Sequence, residues 1–195
     1  MKIAILGGSF NPIHNGHIAL AKRVVDYLGY DKVLFIPAYN PPHKKLACGA
    51  TDSDRLCMVK KSIETYSCFE LEPCELEREG TSYTIDTVHY LQNKYSNELT
   101  GKIGLIIGDD LIPGFHLWKN VKELADITDI LLATRLSADA LHDFGCNYTA
   151  MHNDIVDISS EMIRNFIKKG NCWDDLVPVC VRDYIVHNRL YYECN

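Results

Sequence analysis

Two histidines, His14 and His17, stand three residues apart behind a pair of glycines, Gly7 and Gly8, and a proline, Pro12. Residues three apart share one face of a helix, and Pro12 holds Asn11 extended, so a helix can begin only after it. The pair therefore falls on a first helical turn, where free N–H groups and the positive end of the helix dipole favour an anion. Glycines that follow a strand let the backbone turn sharply and approach a ligand closely. Two imidazoles that take up protons as negative charge gathers make this a phosphate site. The stretch is neither a G-K-[ST] phosphate loop nor a G-x-G-x-x-G dinucleotide turn. By residue type alone, the pair could also hold a metal ion or stand in solvent.

Four further stretches offer matching chemistry. "IPAYNPPHKK" stiffens a loop with two prolines and sets His43, Lys44 and Lys45 at its tip; a solvated basic loop is the plainer alternative. In "GTSYTIDTV", Ser82 or Thr84 could cap a helix and leave N–H groups for an anion, while Asp86 suits the dipole of the first turn. "IIGDDLIPGFHLWKN" places Gly108 for close approach, a carboxylate able to accept bonds from ribose hydroxyls, and Trp118 as a flat face for an aromatic ring. In "DISSEMIRN", Ser159 or Ser160 caps another helix and Arg164 can reach back to its start.

These stretches need a frame that brings them together. Short apolar runs at 2–6, 32–37, 69–72, 102–107 and 129–134 are expected strands, separated by helical patterns at 17–28, 53–66 and 84–95 and a weaker one at 121–125. Such alternation predicts a parallel sheet covered on both faces. A short strand at 154–157 and helices at 160–168 and 178–187 complete the chain, with 41–52 expected as a mobile loop. Ligands of open parallel sheets lie beyond the carboxyl ends of the strands, where strand order reverses. Each candidate stretch except the helical ones follows a strand, and a fourth strand beside the first would bring Gly108 against the glycine pair.

Composition narrows the classes. A length of 195 residues suits one domain, and 47% hydrophobic with 24% charged residues describes an ordinary soluble globular protein. A formal charge of -6 argues against non-specific binding to nucleic acid, yet allows a few cations to gather in one cleft. No apolar run approaches the roughly 18 residues that span a bilayer. Eight cysteines occur with no C-x-x-C pair, so reduced, mostly packed thiols and a cytoplasmic setting are expected, with no leader segment. Oligomeric state is left open, a homo-oligomer included.

As a set, "GGSFNPIHNGH", the P-P-H-K loop, "GTSYTIDTV", G-x-D and "ISSEMIR" resemble the H-x-G-H nucleotidyltransferases, specifically bacterial nicotinate-nucleotide adenylyltransferases, over nearly the whole chain. The resemblance implies a Rossmann-like, doubly wound parallel sheet with a small helical C-terminal part. It also implies transfer of AMP from ATP to nicotinate mononucleotide with release of pyrophosphate, and Mg²⁺ carried on the ATP phosphates rather than held by a protein metal site. Carried over by position, His14, His17, Lys44 and Arg164 act on the phosphates. Gly7, Gly8, Ser9, Phe10, Gly108, Asp110, Ile158, Ser159 and Ser160 hold ATP; Asn11, His43, Tyr83, Thr84, Trp118 and Lys119 hold nicotinate mononucleotide. Glu161 departs from the pattern, standing where the family carries a hydroxyl residue, and is expected to turn away from a triphosphate. Three rivals remain at this point: the nicotinamide nucleotide or another monophosphate as acceptor, a non-catalytic nucleotide sensor, and a His/Cys metal-binding protein.

Overall fold

The central strands carry apolar side chains on both faces, which only a sheet covered on both sides can bury. The computed structural model describes residues 1–42, 46–134, 145–152 and 158–192. Six parallel strands form one sheet: β1 (Ile3–Gly8), β2 (Lys32–Pro37), β3 (Phe69–Leu71), β4 (Ile103–Gly108), β5 (Thr128–Thr134) and β6 (Tyr148–His152). Their order is β3-β2-β1-β4-β5-β6. The fourth strand thus lies beside the first, and strand order reverses between them, as the doubly wound reading requires.

Alternate residues of each strand point to opposite layers. Ala4, Leu6, Val33, Phe35 and Leu131 pack under α1 (Asn15–Leu28), α2 (Asp52–Ile63), α6 (Ser160–Lys169) and α7 (Val179–His187). Ile3, Ile5, Leu34, Ile36, Leu105 and Leu132 pack under α4 (Thr84–Lys94) and α5 (Val121–Ile127). Helix α3 (Cys74–Arg78) adds the buried Cys74 to this second layer. No helix among the described residues is long and apolar enough to cross a membrane.

Several features differ from the sequence-based expectations. Strand β1 runs on through both glycines, pairing Gly7 with Ile36 and Gly8 with Pro37, so the turn falls later, at Ser9–Ile13. The ladder continues because β2 extends alongside, and Ala38 N–H donates to the Gly8 carbonyl at 2.9 Å. Strand β6 and helix α3 were not expected, nor was the 3₁₀ helix Asp109–Leu117 that leaves β4. The strand expected at 154–157 lies outside the described residues, as does the tip of the 41–52 loop. Among the cysteines, all seven described are free. Cys68, Cys146 and Cys180 pack against the core, but Cys48 and Cys172 are exposed.

Gly104 shows how tightly the layers close over the reversal point. A Cβ there would lie 2.7 Å from two ring carbons of Tyr30 and 2.8 Å from a methyl of Leu131. Gly104→Ala should therefore cost about 1–3 kcal/mol through overpacking. Urea unfolding checks this: the midpoint falls with an unchanged slope, and an unmoved midpoint would contradict the close approach.

Candidate active site

The loop from Ser9 to Ile13 carries no regular structure, so its buried carbonyls need partners from elsewhere. Three side chains from two helices supply them. Arg55 of α2 donates through Nη1 to the Ser9 carbonyl at 2.7 Å. Arg164 of α6 donates through Nη1 to the Asn11 carbonyl at 2.7 Å, and Ser160 Oγ donates to the Pro12 carbonyl at 2.8 Å. Phe10 is buried with φ 45, and the Asn11–Pro12 peptide is cis. The Asn11 side chain is engaged at both ends: its Nδ2 donates to the Ala47 carbonyl and its Oδ1 accepts from the Tyr191 hydroxyl, both at 2.7 Å.

This loop delivers the histidines. His14 is the N-cap of α1, and His17 is its third helical residue. The His14 backbone N–H donates to His17 Nδ1 at 3.2 Å, which leaves the imidazole proton of neutral His17 on Nε2. The rings stack with centroids 3.7 Å apart, and Phe10 meets His17 edge-on at 5.0 Å. Gly16 makes the stacking possible, because a Cβ there would sit 3.1 Å from His14 Nδ1. His14 is only 7% exposed, and its Nδ1 is buried without a hydrogen-bond partner. Burial lowers the His14 pKa to about 4; burial and then the neighbouring His14 charge lower that of His17 well below 6.5.

The α6 start lies against the same loop. Ser159 caps the helix by accepting from Met162 N–H at 3.1 Å, leaving Ser160 to the Pro12 carbonyl. Ile158 packs against the core beside them, and Glu161 faces solvent. Gly7 is exposed, and a side chain there would meet no protein atom within 4 Å. Gly108 ends β4, paired with Ala133 of β5. The placements of His43 and Lys44 and the side chain of Asp110 lie outside the described residues.

A second group forms at the start of α4. Neither Ser82 nor Thr84 caps this helix, contrary to expectation: Tyr83 is the N-cap, with no side-chain cap bond. The Ser82 hydroxyl instead accepts from Tyr39 N–H at 2.9 Å and Asn40 N–H at 3.2 Å, so it holds the loop after β2. Thr84 opens the helix, half-buried. Lys119 pairs with Asp86 at 3.0 Å and lies 4.5 Å from the Tyr83 ring centroid. Trp118 is half-buried and tilted on Phe115 at 5.2 Å, while its neighbour Leu117 is 63% exposed. The two groups are joined through the loop after β2, held at Asn40 by Ser82 and at Ala47 by Asn11. Sequence pattern alone singles out neither Arg55, nor Tyr191 within the C-terminal tail, nor the holding role of Ser82. An Asp52–Arg55 spacing of i, i+3 is the one signal, and it reads as a surface pair.

The family model described as cytidylyltransferase-like matches residues 5–166. A protein of Borrelia garinii subsp. bavariensis named "Probable nicotinate-nucleotide adenylyltransferase" is 39% identical, with 98% of this chain and 95% of that one covered. One of the same name from Treponema pallidum is 36% identical, covering 98% and 99%. This chain belongs to the nicotinate-nucleotide adenylyltransferase family. Its fold is also that of the Plasmodium falciparum nicotinic acid mononucleotide adenylyltransferase complexed with NaAD, at TM-score 0.77 and 21% identity, with 97% of each chain covered.

In this family member the paired imidazoles are neutral at neutral pH, so they offer N–H donors without a fixed charge. An arriving polyanion raises their pKa values and turns donors into cations. The same burial makes folding pH-dependent. The folded pKa of His14, about 4, lies below the ordinary 6.5, so the unfolded chain takes up its proton first. Stability on this account is intact above the unfolded pKa and falls as pH drops towards 4, by up to ~1.4 kcal/mol per pH unit for one histidine. Urea unfolding at pH 7 and pH 5 tests this: the loss should shrink in His14→Gln, and an equal loss in both proteins would contradict it.

Proposed function

We propose that this protein transfers the AMP moiety of ATP to nicotinate mononucleotide, forming nicotinate adenine dinucleotide and pyrophosphate in NAD biosynthesis. The observation that carries the proposal is the stacked imidazole pair at the first turn of α1, on a loop that Arg164 and Ser160 also touch. Imidazole and backbone N–H donors at a helix start stay incomplete until an acceptor meets them. A phosphoryl oxygen at this switch point would do so.

The acceptor's phosphate oxygen is already ionised, so it attacks the α-phosphorus of ATP without a general base. A new P–O bond forms there, and the bond to the bridging oxygen breaks with its electron pair leaving on pyrophosphate. Catalysis is then positioning and charge stabilisation. In this reading His14, His17 and Arg164 meet the phosphates, with Lys44 joining them from the loop after β2. Gly7, Gly8, Ser9, Phe10, Gly108, Asp110, Ile158 and Ser159 line the ATP side, where Ser160 has a hydroxyl already bound to the loop. Among the described residues no three His, Cys, Asp or Glu side chains gather as a metal cage. In this reading Mg²⁺ enters with the ATP phosphates as part of the substrate, supplying charge neutralisation.

On the acceptor side, the N–H groups at the α4 start have no side-chain cap, which suits a nicotinate carboxylate. Tyr83, Thr84 and Lys119 stand at that helix start, with Trp118 adjoining and Asn11 on the loop after β1; the family resemblance adds His43 to the same side. An amide would need an acceptor where these N–H groups point. Residues 1–195 act as one nucleotidyltransferase domain, working in the cytoplasm.

His17→Ala should lower kcat by about two to three powers of ten, the cost of ~2.7–4 kcal/mol for one preorganised donor. Pyrophosphate release by the folded variant is the measurement, and near-normal turnover would reject the role. With nicotinate and nicotinamide mononucleotides competing in one mixture, the acid should be consumed first; equal consumption would point to an acceptor chosen elsewhere.

A further inference from the structure

Among the described residues Arg55 is the largest side chain that is fully buried, at 0% exposure, and no step of the transfer uses it. Its Nη2 donates to Asp52 Oδ1 at 2.6 Å, but the Asp52 side chain is 47% exposed, so water shares that carboxylate. Its Nε is buried without a hydrogen-bond partner. A buried cation held this loosely is costly, and an apolar residue of similar length would fill the space at less cost. What an apolar residue lacks is the donor to the Ser9 carbonyl.

That carbonyl controls the next residue. Phe10 has φ 45, a left-handed conformation that is strained for a non-glycine residue and persists only when its surroundings hold it. The Phe10 ring is wedged between Phe35, at 5.9 Å, and His17, at 5.0 Å edge-on. His17 in turn stacks on His14 at 3.7 Å. A continuous line of contacts runs from the guanidinium through the Ser9 carbonyl and the Phe10 ring to both imidazoles.

We propose that Arg55 is a positioning residue for adenylyl transfer: by holding the Ser9 carbonyl it fixes the Phe10 turn and so sets the stacking of His17 on His14. This rests on the transfer reaction proposed above. Arg55→Met keeps the reach and removes the donors, Arg55→Lys keeps the charge and one donor, and Asp52→Ala loosens the guanidinium while leaving it in place. Steady-state kinetics of purified full-length protein give kcat and KM for ATP, and carbon-bound imidazole NMR signals report the ring pair directly. The expected result is a kcat lower by roughly ten-fold or more in Arg55→Met, as for small misplacements of a reacting constellation, with KM little changed. His17 signals shift in the same variant, and Arg55→Lys recovers part of both.

A purely structural role would lower the melting temperature while leaving kcat per folded molecule and the imidazole signals as in wild type. That result overturns the proposal. Should Arg55→Met fail to fold, Arg55→Lys and Asp52→Ala decide on the same two readouts, unmoved signals in both counting against it. Wild type assayed alongside separates the two readings. Absence of pyrophosphate from wild type would sink the transfer reaction, and the ring signals would still decide what Arg55 does.

Discussion

Backbone carbonyls in an irregular buried loop must find donors, and the loop after β1 finds none in its own strand or helix. It borrows them from side chains far along the chain: Arg55, Ser160 and Arg164. This exchange fixes the geometry of everything that follows. Because the donors sit on α2 and α6, the loop is a junction where three parts of the layered sheet must agree before the histidines can stack. Each borrowed bond adds only about 0.5–1.5 kcal/mol net, or somewhat more when the donor is charged. Their joint effect is conformational, holding Phe10 in a backbone region that it would not otherwise keep.

The electrostatics follow from that geometry. The chain carries a formal charge of -6, yet the first loop is met by two guanidinium groups and two imidazoles. Permanent positive charge is kept on arginines whose N–H groups are tied to carbonyls. The adjustable charge is left to histidines that burial keeps neutral. Such a division lets the free protein avoid the repulsion of four clustered cations while retaining the ability to respond to an anion. The α4 start works differently, with its backbone N–H groups as donors and the Lys119–Asp86 pair beside them already balanced.

Much of this was legible in the residues. Alternating apolar runs placed β1, β2, β4 and β5, and three-residue spacing put both imidazoles on one helical turn. Paired serines before Met162 and Ile163 marked the α6 cap at Ser159. What escaped was set by tertiary contacts. Ser82 has the residue type and place of a helix cap, but its hydroxyl is drawn to the Tyr39 and Asn40 N–H groups across the sheet edge. Strand β6 lies in Tyr148–His152, where one alternating stretch carries little hydrophobic signal, and α3 is too short to show a period. Pro113 disguises the 3₁₀ helix as a loop. Arg55 looks like a surface charge beside Asp52, and nothing local reveals that its guanidinium turns inward.

The bond between Tyr191 and Asn11 spans 180 positions of sequence. Protein synthesis runs from one end to the other, so the first strand and its turn are made long before the hydroxyl that binds Asn11. A nascent chain therefore carries that turn with one of its buried bonds unmade until Tyr191 emerges. The turn between β1 and α1 thus takes its full set of partners only once Tyr191 has been made.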